Sequence, residues 1–245
     1  MKVSLLTISG LSFLTAASPA AISLGTSGYT NNFTTAPTIL LGFSTRNSLG
    51  NSALPVSETN ARIGSVETRN SWINANVTAA NTNVAIGTNS LNLPGSTVPR
   101  HQSTLGVIQS NPSGNAASFM MLTVQNTTGA AITGVTVQYT LGGVGAPGLE
   151  QLPGVGLLFS LTGLADSWTA FADNTTNDDK TEVATFVGNV ANNTNFFLLW
   201  AEDNADGGTE ALLTYDNLQL TAIPEPSALV LSLLGLGAIV ARRRR

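Results

Sequence analysis

Pro224-Glu225-Pro226 divides this chain more sharply than any other stretch of it. Both prolines fix φ and lack a backbone donor, so neither a helix nor a central strand runs smoothly through them. From Ser227 to Ala241 there is no charge, and Arg242, Arg243, Arg244 and Arg245 close the chain. As a helix this run would extend roughly 22 Å at about 1.5 Å per residue. A hydrocarbon core is about 30 Å thick, and snorkelling arginines with local thinning cover the shortfall. The pattern predicts a single C-terminal transmembrane helix over 227–241, with its arginine end in the cytoplasm. A buried core helix is the alternative, but four terminal arginines leave it nowhere to continue.

The order of these parts is itself informative. Pro224-Glu225-Pro226, a short apolar helix and a terminal arginine cluster resemble the PEP-CTERM sorting signal of Gram-negative surface proteins. The resemblance implies that an integral-membrane exosortase reads and processes residues 223–245. Pro224, Glu225, Pro226 and Arg242 to Arg245 would then be the sorting residues. It further implies passage through the inner membrane to the cell surface or an extracellular polysaccharide matrix. It covers about a tenth of the chain and is silent on what the upstream part does.

The other end agrees. Residues 1–20 read as a signal peptide, with Lys2 as the basic region, Val3 to Leu14 largely apolar, and small residues at Ala16-Ala17 and Ser18-Pro19-Ala20 for cleavage. Between the two targeting segments, residues 21–222 are long enough for one domain with a sizeable core. That span holds Arg46, Arg62, Arg69, Arg100 and Lys180 against thirteen carboxylates, a net charge of −8. An acidic exported domain without clustered cations is a poor partner for nucleic acid. Cysteine is absent, so disulfides and thiolate metal sites are excluded.

Few strong helix formers are present, and Asn, Thr, Gly, Ser and Val dominate. Ala36 to Phe43 and Val84 to Ile86 suggest strands, while Ala61 to Val77 reads as a strand pair or a loop-rich insertion. From residue 119 the pattern sharpens. Phe119 to Gln125 is strand-like, and Asn126-Thr127-Thr128-Gly129 is turn chemistry. Val135, Val137, Tyr139 and Leu141 alternate with Thr136, Gln138 and Thr140, the signature of a strand with one buried face. Val155 to Leu161 and Glu182 to Val190 follow. Phe196 to Ala201 is continuously apolar and predicts a central strand buried on both faces. Glu202 to Gly208 reads as a turn, with Ala211 to Tyr215 and Leu218 to Ala222 as two final strands. The expected fold is all-β, an antiparallel, jelly-roll-like β-sandwich.

Leu105-Gly106, Val124 to Gly129, Val135 to Tyr139, Phe196 to Trp200 and Tyr215 to Leu218 also resemble an uncharacterised β-domain common in PEP-CTERM proteins. Two departures stand out. Asn217 replaces one of a usual Asp pair, and Leu199 replaces the Arg of a usual Arg-Trp pair. The resemblance implies a sandwich and no known activity.

Candidate chemistry is sparse. Gly143-Val-Gly145-Ala-Pro-Gly148 matches the dinucleotide fingerprint as a string, but Pro147 and Pro153 leave no room for its helix, so it reads as a loop. His101, the sole histidine, reads as an exposed loop residue. Glu202, Asp203, Asn204 and Asp206 with Gly207 open like a calcium loop, but Leu213 stands where the bidentate carboxylate belongs, so a solvated acidic turn competes with a calcium site. Asp173, Asn174, Asn177, Asp178 and Asp179 form a second acidic loop. Among Trp72, Trp168 and Trp200, Trp200 ends an apolar run and reads as core, while Trp168, beside Asp166 and Ser167, is the best candidate of the three for an exposed ring that stacks on a sugar. No two carboxylates are paired as a glycosidase requires. The expectation is a non-enzymatic surface protein without metal or cofactor, with a carbohydrate-binding module as the alternative.

Overall fold

The computed structural model describes residues 20–47, 66–82, 86–88, 99–110, 117–143, 154–174, 180–203 and 212–225. Residues 1–19 of the proposed signal peptide and the apolar run 227–241 therefore lie outside the described residues. Among those described, no helix is long and apolar enough to cross a membrane.

Two sheets face each other. In the first, β7 (Ala117–Asn126), β12 (Asn195–Asp203), β9 (Val155–Ser160) and β10 (Thr169–Asn174) pair antiparallel in that spatial order. The outer edge of β7 is shared by β1 (Ile22–Leu24), which runs parallel to it, and β3 (Phe43–Asn47), which runs antiparallel. In the second sheet the order is β11 (Lys180–Val190), β8 (Ile132–Gly142), β13 (Leu213–Pro224), β6 (Val107–Ser110), β5 (Arg100–Gln102) and β4 (Gly87–Thr88). There β2 (Tyr29–Asn31) adds to the edge of β13 beyond β6. The sandwich expectation holds. Its pairing is antiparallel throughout except for β1 with β7 and β4 with β5.

The inter-sheet core follows from alternation. Val135, Val137, Tyr139 and Leu141 of β8, with Tyr215, Leu218 and Leu220 of β13, meet Met120, Leu122, Val124, Phe196, Leu198 and Trp200 of the first sheet. Tyr139 stands edge-on to Trp200 with ring centroids 5.8 Å apart, a favoured aromatic geometry. The alternate residues Thr136, Gln138 and Thr140 are only partly buried on the far side of the second sheet. That face is open, as a one-sided strand pattern requires.

The first sheet is covered on both faces, as the run Phe196–Ala201 predicts. Its outward residues Phe119, Met121, Leu158, Phe197, Leu199 and Ala201 form a second apolar cluster with Ile73, Val77 and Trp168. The cover is α1 (Val66–Asn76), a helix where the sequence suggests strands or loop. Its stripe facing the sheet is Arg69, Ile73 and Val77, all buried and spaced by four. One member of that stripe is charged and five of the helix's eleven residues are Asn, Ser or Thr, so neither propensity nor apolar periodicity reveals it. Packing against the sheet forms this helix.

Smaller corrections have local causes. Ala36 to Phe43 contains a 3-10 turn (Ile39–Leu41) before β3 begins. Glu202 and Asp203 extend β12 instead of opening a turn, because they continue the pairing with Ser118 and Ala117. The two final strands are one, β13, with a register shift between Asp216 and Gln219 where Asn217 takes a positive φ of 51°. Asn tolerates that conformation better than most residues, which lets the strand bulge without ending. Thr169 to Asn174 is a strand that the alternation did not disclose.

Ile73→Ala should cost about 2–5 kcal/mol of stability through the cavity it opens between α1 and the first sheet. Val187→Ala, on the open face and 78% exposed, should change stability by less than about 0.5 kcal/mol. Urea unfolding followed by tryptophan fluorescence measures both.

Candidate functional site

The sorting motif begins inside the fold. β13 runs through Ile223, opposite Gly134, to Pro224, opposite Ile132, so the strand does not stop at Ala222. Pro224 ends it because it has no N–H to give the ladder. The Thr133 hydroxyl donates to the Ile223 carbonyl at 3.3 Å, and the Glu225 N–H reaches the Ala131 carbonyl at 3.5 Å. The Glu225 carboxylate accepts from Asn189 Nδ2 at 3.0 Å, on the exposed end of β11. Pro224 and Glu225 are both exposed to solvent. Pro226 and Arg242 to Arg245 lie outside the described residues.

This end of the sandwich is tied by Asn126. Its amide donates to the Ala130 and Val190 carbonyls at 2.8 and 2.9 Å, and its carbonyl accepts from the Thr128 N–H at 3.0 Å. The Asn-Thr-Thr-Gly turn is thereby built on one buried side chain, as Asx chemistry allows. Asn126-Thr127-Thr128 has the form of a glycosylation sequon, but the buried Asn126 side chain has no exposed atom to offer a glycan.

Of the calcium candidates, Glu202 and Asp203 lie within β12. Glu202 is buried at 1% exposure in β12, where its carboxylate accepts from Ser118 Oγ at 3.3 Å. Asp203 ends the same strand, and Asn204 and Asp206 lie outside the described residues. In the second acidic stretch Asp173 belongs to β10 and pairs with the Arg69 guanidinium. Burial pushes the Asp173 carboxyl above its ordinary value, and Arg69 with the Asn70 side chain offsets part of that rise. Arg69 is 1% exposed and donates also to the Gly154 carbonyl at 2.7 Å. Gly156 makes room for it, since a Cβ there would fall 2.3 Å from the guanidinium. Among the described residues no three His, Cys, Asp or Glu gather to hold a metal.

Two further residues need correction. His101 is buried in β5, not exposed in a loop. Its Nε2 lies 2.6 Å from the Phe33 carbonyl, which can only accept, so that nitrogen carries the proton. It thus holds a residue whose φ is +50°. Trp168 is also buried, because it packs under α1 and its indole donates to the Val77 carbonyl at 2.7 Å. The Trp168 N–H is taken by the Asn74 side chain at 2.8 Å. Trp72 stacks on Phe119, and Trp200 is in the core, so all three tryptophans serve packing. Tyr139 is pushed far above its ordinary phenol value, first by burial and then by Glu182, and stays protonated at any physiological pH.

The second sheet carries an open cleft beside the bulge in β13. It is lined by Thr30, Asn31, Asn32, Asn217, Leu218 and Gln219, neutral hydroxyl and amide groups apart from the leucine. Nothing in the sequence pattern marks it, since β2 joins β13 from 187 residues away by register alone (Asn31 with Leu218).

Arg69→Ala should cost about 3–5 kcal/mol, because it strips the partner from a partly buried carboxylate. Arg69→Met combined with Asp173→Asn should recover most of that loss by restoring volume without charge. Thermal denaturation of the two variants separates the outcomes.

Comparison with known proteins identifies the tail. The PEP-CTERM protein-sorting motif matches residues 222–245. No curated protein matches the chain. Among solved structures, the CBM22-1 xylan-binding domain from Paenibacillus barcinonensis Xyn10C aligns at 8% identity and a TM-score of 0.30, over 81% of this chain and 95% of that one. The tandem CBM22-1-CBM22-2 domain of the same protein gives 9% and 0.31, over 87% and 48%. The Agl-KA catalytic domain gives 11% and 0.29, over 89% and 32%. These likenesses are too distant to bear on this chain's activity. The tail is decisive: the chain carries a PEP-CTERM sorting signal and is an exosortase-sorted surface protein.

Proposed function

We propose that this protein is a non-catalytic β-sandwich serving as a structural component of the cell surface or its extracellular polysaccharide. Residues 1–20 lead its export. The helix 227–241 holds it in the inner membrane, with Arg242 to Arg245 cytoplasmic, until an exosortase acts. The observation that carries this reading is the sorting motif following directly on β13, a strand of the folded domain. The sandwich is thus the cargo that the signal delivers. The absence of enzymatic activity is supported by the use of His101, Arg69, Asp173 and Tyr139 in packing and pairing.

A second reading, a carbohydrate-binding module, is favoured by the cleft beside β2. Neutral amides and hydroxyls suit the hydroxyl groups of a sugar. It lost its first support when Trp168 proved to be buried.

Changing Pro224-Glu225-Pro226 to Ala-Gln-Ala should stop maturation in a host with a matching exosortase, leaving a larger, membrane-retained band whose mass includes the arginines. Normal maturation of that variant would sink the exosortase reading. For the second reading, the mature protein should be titrated with a panel of soluble polysaccharides. Binding that Asn32→Ala with Gln219→Ala weakens about tenfold or more, at unchanged thermal stability, would replace the structural role by recognition. No binding across the panel leaves the structural role standing.

A further inference from the structure

Glu225, the middle residue of the sorting motif, is gripped by the domain it follows, and two strands bend to make the grip. Opposite Thr133, the pairing of β8 with β13 slips between Ile223 and Pro224. On its other side the pairing of β8 with β11 slips between Val187 and Val190. The second slip places Gly188 and Asn189 in the bulge and turns Asn189 across the end of β8 toward Glu225. A carboxylate only accepts, so the amide NH₂ of Asn189 is the group that fits it. Just above the bulge the strands close tightly. A Cβ on Gly134 would lie 2.3 Å from the Phe186 carbonyl. Bulges of this kind re-aim a side chain, and here both are centred on the residue whose hydroxyl also binds the Ile223 carbonyl.

We propose that Asn189 and the end of β8 form a latch on the sorting motif. The exosortase then engages the motif only after Ile223 to Glu225 peel away from β8. An enzyme that takes its substrate as an extended chain needs backbone groups on both sides of the recognised residues. Here the upstream ones are committed to Gly134, Ile132 and Ala131. Opening a strand end costs far less than unfolding the domain, so the latch slows processing without blocking it. It also makes maturation sensitive to the fold, since only a sandwich with β8 and β11 in place holds Glu225. The inference rests on the reading that an exosortase processes the tail.

The test is pulse-chase of the full chain in a host bearing a matching exosortase. Asn189→Ala should mature about two- to tenfold faster, the range expected for losing one ordinary hydrogen bond at a solvent-exposed site. Asn189→Asp, which sets a second carboxylate against Glu225, should be at least as fast. Inserting Gly-Ser-Gly-Ser between Ile223 and Pro224 frees the motif from the ladder. It should speed maturation and make it indifferent to Asn189→Ala, which a merely structural role for Asn189 would not do. Unchanged or slower maturation of Asn189→Ala, with the melting temperature preserved, would overturn the latch. If neither the natural chain nor the inserted one is processed, the exosortase reading fails and the latch with it.

Discussion

The six side chains from Phe196 to Ala201 hold this molecule together because they bury in two directions. Phe196, Leu198 and Trp200 point into the space between the sheets, and Phe197, Leu199 and Ala201 point into the layer under α1. A fully buried Leu or Phe contributes about 1.5–3 kcal/mol, so Phe197 and Leu199 alone place roughly 3–6 kcal/mol in that outer layer. Domains of this size have net stabilities of about 5–15 kcal/mol. The helix that covers them is therefore a requirement of the strand, although nothing in its own composition would keep it helical in water. In turn α1 imposes the loop that follows β9. The Ala79 N–H binds the Gly163 carbonyl at 2.7 Å, and Trp168 takes the helix-end carbonyl of Val77.

The polar side chains within this frame follow from what the frame leaves unpaired. Asn126 closes the turn between β7 and β8 and reaches β11 through Val190, so one buried amide fastens both sheets at that end. Arg69 sits where α1 meets β9 and the edge strand β10, with Gly156 and Asp173 shaped around its guanidinium. His101 secures the turn after β2. Each of these residues is occupied in joining elements far apart in sequence. A buried charge or imidazole engaged in this way is unsuited to acid–base work, because moving its proton or its partner would cost packing.

The domain and its sorting signal are mechanically continuous. β13 lies between β8 and the short strands β6 and β2, and its last residue, Pro224, is the first of the Pro-Glu-Pro motif. The fold thereby extends to within one residue of the apolar run, Pro226 alone standing between Glu225 and Ser227. A signal joined to its cargo by a flexible linker would be read independently of the cargo's state. One that shares a strand with it is coupled to folding through local opening.

The sorting motif was legible in the sequence because its recognition depends on the local order of Pro-Glu-Pro, apolar residues and arginines. The inward face of β8 and the doubly buried β12 were legible for a similar reason: alternation records which faces are covered. What covers them was not. The stripe Arg69, Ile73, Val77 carries a charge neutralised by Asp173, 104 residues onward, so α1 has no apolar period to read. Trp168 and His101 look exposed among polar neighbours and became buried because α1 and the residue after Asn32 close over them. The contact of Asn189 with Glu225 spans 36 residues and exists only because two bulges coincide at Thr133. Local chemistry determined the strands and the signal; pairing register, which no short window contains, decided what each polar side chain meets.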